Sequence, residues 1–138
     1  MTRFLGKWAL RLHGGVLLVM MPFLVYESSI GLLQGTGSFA FLHANAVADV
    51  GLSQLYFVMI IVAFFLLFGS FQGVLWVWNL LGCLVQAVPF ASNFVFAKLY
   101  SNSGIAPSWP LHGTLIMLEL AALMAAAYGM AKHPNGNR

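Results

Sequence analysis

The chain holds only three carboxylates, Glu27, Asp49 and Glu119, and each lies inside or at the edge of an apolar run. Lipid neither hydrates nor neutralises such a group, so it must be protonated, hydrogen-bonded or bound to a cation. Imidazole is the other side chain that exchanges a proton near neutral pH. His13, His43 and His112 stand near the ends of the same runs or in the connection between them. Counting about 1.5 Å per residue inward from the expected boundary, Asp49 and His112 lie near the surface, Glu27 and Gln86 about 6 Å in, and Glu119 about 13 Å in. The expectation is therefore a polar pocket in the outer half of a membrane. Glu27, Asp49, Gln86, His112 and Glu119 would form a ligand or proton site there, with His43 above it and Lys98 as the nearby cation.

Carboxylate with imidazole suits zinc, manganese or iron better than copper(I), which favours sulfur. The spacing does not suit a shared ion, because His112 and Glu119 are two helical turns, about 10.5 Å, apart along one axis. No metal site is expected. His13 and His112 fall near opposite ends of the spans in this reading, too far apart to be the two axial ligands of one haem. The single Cys83 excludes an intrachain disulfide and the cysteine-based metal spacings. No nucleophile–base pair or cofactor fingerprint appears, so no catalytic residue is assigned, no cofactor is named and a non-enzymatic role is expected.

The elements that must position these groups follow from composition. Hydrophobic residues make up 61% of the 138-residue chain, charged residues 7%, and the mean hydropathy is +0.89, which describes an integral membrane protein. Four apolar runs, Leu12 to Leu33, Val50 to Phe68, Val74 to Phe90 and Leu111 to Met130, have the length that a hydrocarbon core of about 30 Å requires. Their continuous apolar character predicts helices rather than alternating β-strands. The whole chain, 1–138, is then one all-α, four-span domain. Arg3, Lys7 and Arg11 precede the first run and Lys132 and Arg138 follow the last, which predicts cytoplasmic termini. That topology also explains the basic balance, so nucleic-acid binding has no support.

Polar residues in the runs recur every seven positions. Gln72, Asn79, Gln86 and Asn93 form such a stripe on the third helix. His112, Glu119, Ala126 and His133 do so on the fourth, His13, Met20, Glu27 and Gln34 on the first, and Asp49, Tyr56, Ala63 and Ser70 on the second. A heptad drifts only about 20° around an ideal helix, so each series marks one face. Four inward polar faces predict a left-handed four-helix bundle, with the third-helix stripe as structural hydrogen-bonding glue. Pro22 in the first run is expected to bend its helix below Glu27.

The Leu12-His13-Gly14-Gly15 opening, the Ala48-Asp49-Val50-Gly51 start of the second helix and the His112-Gly113 start of the fourth, with Glu119 beyond it, resemble small DoxX-like four-helix membrane proteins. The resemblance covers the chain in outline and implies a fold rather than an activity. It implies an accessory or assembly subunit of a larger complex in a bacterial inner membrane, contacting lipid and other membrane subunits through its helix faces. The alternative is a small-molecule, proton-linked or quinone-type binding module that uses the outer pocket.

Overall fold

The computed structural model describes residues 2–95, 97 and 108–132. Lys98, His133 and Arg138, to which the sequence reading gave roles, lie outside the described residues, as does the side chain of Lys132. Among the described residues the protein is helical and has no strand. Helix α1 spans Thr2–Gln34, α2 Ala46–Gly69, α3 Leu75–Val95 and α4 Trp109–Lys132, with a short 3-10 helix at Ala40–Ala44. Each long helix contains a segment apolar enough and long enough to cross a membrane: Arg3–Gln34, Val47–Gly69, Leu75–Val95 and Trp109–Tyr128.

Helix α1 begins at Thr2, ahead of the expected start at Leu12. The cations at Arg3, Lys7 and Arg11 mark where apolar surroundings begin, but they do not stop a helix, since their long stems lie along it while their heads reach water. Between them Ala9 and Leu10 are fully buried. His13 is thus eleven residues inside α1, about 16 Å along its axis.

The chain divides into two compact units. One comprises residues 14–65. In it α1 ends at Gly35, whose φ of +64° is the left-handed conformation a helix-terminating glycine adopts, and the Gly35 N–H bonds the Gly31 carbonyl at 3.0 Å. The connection then folds back over that last turn so closely that a Cβ on Gly31 would lie 2.3 Å from the Phe39 carbonyl oxygen. The His43 Nδ1–H donates to the Leu32 carbonyl at 2.8 Å, giving a terminal carbonyl a partner. Asn45 starts α2, its Oδ1 accepting the Ala48 N–H at 3.2 Å, and Asp49 sits in the first turn, where the helix dipole favours a negative charge.

The other unit comprises the start of the chain through His13 and residues 66 onward. Its α2 and α3 segments are joined by a tight turn in which the Ser70 N–H bonds Leu66 O and Leu67 O at 3.1 Å. The Trp78 ring lies on the bare Cα of Gly69 and meets Phe68 edge-on at 6.1 Å. Arg11 closes this end, donating from Nε to Ser70 Oγ at 3.3 Å while its guanidinium lies 5.1 Å from the Phe71 ring centre. Gln72, counted in the third-helix stripe, is in this turn and half-buried, because α3 starts only at Leu75. Helices α3 and α4 pack along each other, with Phe90 over Gly113.

Candidate functional site

Six buried or half-buried side chains of the second unit join into one network. His13 Nδ1 lies 2.9 Å from Glu119 Oε1, both side chains being fully buried. Gln86 Nε2 lies 2.8 Å from His13 Nε2, and Gln86 Oε1 meets His112 Nδ1. His112 Nε2 is 3.1 Å from Ser108 Oγ. Asn93 completes the far end, with Nδ2 at 3.2 Å from the same hydroxyl.

The direction of donation follows from the placement of the Gln86 amide. Asn93 Oδ1 accepts the Ser108 N–H at 2.9 Å, and Asn93 Nδ2 donates to the Pro89 carbonyl at 2.7 Å. The Ser108 hydroxyl has two acceptors in reach, Asn93 Oδ1 at 3.4 Å and His112 Nε2 at 3.1 Å. Gln86 Oε1 can only accept, so His112 carries its proton on Nδ1, donates to Gln86 Oε1 and keeps Nε2 as an acceptor for Ser108. The Gln86 amide N–H donates to His13 Nε2, and His13 donates from Nδ1 to Glu119 Oε1. Every donor in the chain points toward Glu119. From Ser108 to Glu119 the path covers eleven residues of the α4 register, about 16 Å.

Close helix contact makes this possible. A Cβ on Gly82 would lie 2.7 Å from Glu119 Oε1 and 2.8 Å from its Cδ, so the carboxyl rests on bare α3 backbone. Cys83, the next residue, donates its thiol proton to the Ile116 carbonyl at 3.9 Å. Asn79, one turn away on the same face, donates Nδ2 to the Leu75 carbonyl of its own helix at 2.7 Å. Two buried oxygens in this region, Glu119 Oε2 and Asn79 Oδ1, have no hydrogen-bond partner among the described residues.

The structure thus brings Gln86, His112 and Glu119 together and adds His13. The depth separation expected between His13 and His112 is not found: one amide bridges them, because α1 starts early enough to carry His13 well inside the helix. Glu27 and Asp49 belong to the unit of residues 14–65. There Glu27 is half-buried, with Oε2 3.7 Å from the position a Gly37 Cβ would take, and Asp49 is buried with Oδ1 unpaired. Within the stripe Asn79–Gln86–Asn93, Asn79 bonds only its own helix, whereas Gln86 and Asn93 reach other segments. Among the described residues no three His, Cys, Asp or Glu side chains gather as a metal site.

Three participants were missed in the sequence: His13 as a site residue, Ser108 and Gly82. Ser108 carried a signal, since it lies four residues before His112 and so on the same helix face. Gly82 carried a weaker one, as the small residue between Asn79 and Gln86 at helical spacing. Comparison with family models, curated proteins and solved structures returns no match to this chain.

Proposed function

We propose that the protein is a multi-pass membrane module that handles protons, with Glu119 as the receiving carboxyl and His112, Gln86 and His13 as the relay. The observation that supports this reading is the continuous series of hydrogen-bonding contacts from Ser108 through His112, Gln86 and His13 to Glu119, with the Gln86 donor facing His13 and its acceptor facing His112. Two imidazoles and a carboxyl in contact, within helices suited to lipid, are groups whose placement serves proton exchange. A proton arriving at His112 Nε2 lets that ring release the one on Nδ1 to Gln86 Oε1. The amide then gives one from Nε2 to His13 Nε2, and His13 gives its Nδ1 proton to Glu119. The transfer leaves Gln86 as its imidic acid; return of a proton from its Oε1 to Nε2, with rotation of the two rings, restores the starting direction.

Glu119 is ten residues from the start of α4 and His13 eleven from the start of α1, about 15 and 16 Å. In a left-handed bundle with cytoplasmic termini the pair would lie within the span-length segments of both helices. A bacterial inner membrane and the DoxX-like outline fit that arrangement. The chain in vesicles loaded with a pH-sensitive dye tests the proposal. Proton entry driven by a membrane potential should exceed that of protein-free vesicles and be lost in Glu119→Gln. A wild-type rate equal to the empty vesicles rejects it.

The second reading is an accessory subunit of a larger membrane complex. Exposed apolar side chains along α4, Met117, Leu120, Met124 and Tyr128, favour it, although lipid covers such a surface equally well. A partner retained stoichiometrically through mild-detergent purification would support this reading over a module that works alone.

A further inference from the structure

Glu119 has two oxygens, and the relay uses one. Oε1 receives the His13 proton and rests on Gly82, while Oε2 is buried without a donor. Asn79 Oδ1 is in the same condition one turn along α3. Buried oxygens without a donor are costly, and Asn79 stands one α3 turn from the Gly82 backbone on which the Glu119 carboxyl rests, so the two call for a common explanation. The donors around them in this unit are directed elsewhere. His13 Nδ1 faces Oε1, Gln86 Nε2 faces His13, the Cys83 thiol Ile116 O and Asn79 Nδ2 Leu75 O. Asn79 cannot turn its amide over without leaving the Leu75 carbonyl facing another oxygen. Gln86 Nε2 and Asn79 Nδ2 each keep a second N–H, but among the described residues no donor reaches Glu119 Oε2 or Asn79 Oδ1.

From these observations we propose that Glu119 Oε2 is a proton-binding site whose partner is Asn79 Oδ1: the carboxyl holds one proton on Oε2 and donates it to the Asn79 carbonyl oxygen. One O–H then satisfies both orphaned oxygens, and Oε1 stays an acceptor for His13. The carboxyl becomes a junction with two faces, one turned to the His13 relay and one to Asn79. Asn79 is a positioning residue here, holding the Oε2 proton away from the oxygen that serves His13. The mechanistic part of this inference rests on the proton-handling reading, whereas the site itself does not.

Infrared spectroscopy of the purified full chain in detergent tests the site separately from any flux. Glu27→Gln in an otherwise native chain leaves Glu119 as its one glutamate, and 13C-glutamate labelling then assigns its band without touching the site. A protonated-carboxyl C=O stretch that moves down in deuterium oxide is expected. In Asn79→Ala the same band should move up, as a carbonyl does when its acid loses a hydrogen-bond acceptor. Glu119→Gln should remove it. Absence of a labelled protonated-carboxyl band in the folded Glu27→Gln protein overturns the proposal. A band that Asn79→Ala leaves in place overturns the pairing. Vesicles without proton entry but with both band shifts would reject the relay and keep the site.

Discussion

A methyl group on Gly82 would lie 2.7 Å from Glu119 Oε1, so Gly82→Ala pushes the carboxyl off its seat and away from His13. Overpacking of this kind costs about 1–3 kcal/mol, read as lowered unfolding stability in detergent. Adding Glu119→Ala removes the crowded group, so the double variant should be less destabilised than the sum of the two singles; strict additivity would show that the two positions are not coupled. Gln86→Leu strips partners from His13 Nε2 and His112 Nδ1 together. Each orphaned buried group costs about 1–3 kcal/mol, whereas an average hydrogen bond in membrane helices is worth about 0.6 kcal/mol. Asn79→Leu loses the bond to its own helix and leaves one buried group, the Glu119 Oε2–H, without its proposed acceptor, against the two that Gln86→Leu strips. Thermal unfolding of the two should therefore rank Gln86→Leu as the less stable, and the reverse order would contradict the network. At this scale the sequence revealed the polar residues by type and heptad spacing. It did not reveal Gly82, since a glycine shows its purpose only when the group packed on it is known.

Helix identity was legible because four long apolar runs leave backbone groups no option but internal hydrogen bonds. Helix ends were less so. Charge fixes where lipid should begin, and α1 runs through three cations before that point, so His13, expected near the start of the first run, lies about three turns inside the helix. The connection between α1 and α2 offers a test at this scale. Gly35 has a left-handed backbone, for which a Cβ costs about 1–2 kcal/mol, while a Cβ on Gly31 meets the Phe39 carbonyl, a backbone atom that cannot step aside alone. Both alanine variants should accelerate protease cleavage between residues 35 and 45, Gly31→Ala the more strongly. Equal resistance to wild type in Gly31→Ala would show that the fold-back contact is not maintained.

For the whole molecule, the orientation proposed from the cations has a direct measurement. In a Cys83→Ala background, a membrane-impermeant thiol reagent added to intact cells should label Ser38→Cys and spare Phe71→Cys, whose side chains are both exposed. Labelling of Phe71→Cys alone would invert the topology. The sequence supplied the number of spans and the charge asymmetry but not the linkage of His13 to Glu119. Their separation in the chain is 106 residues, and no local periodicity carries information over that distance.

That separation has a consequence in time. Glu119 is added to the growing chain 106 residues after His13. At 5–20 residues per second the 106 positions between them take roughly 5–20 s to be added. Through that interval the first helix carries an imidazole whose carboxyl partner is not yet made. The nascent chain must wait, shielded by the insertion machinery or by lipid headgroups, and only the last helix releases it. A ribosome stalled before Trp109 should hold a first helix that crosslinks to the translocation channel or to a chaperone, and a chain released there should be degraded.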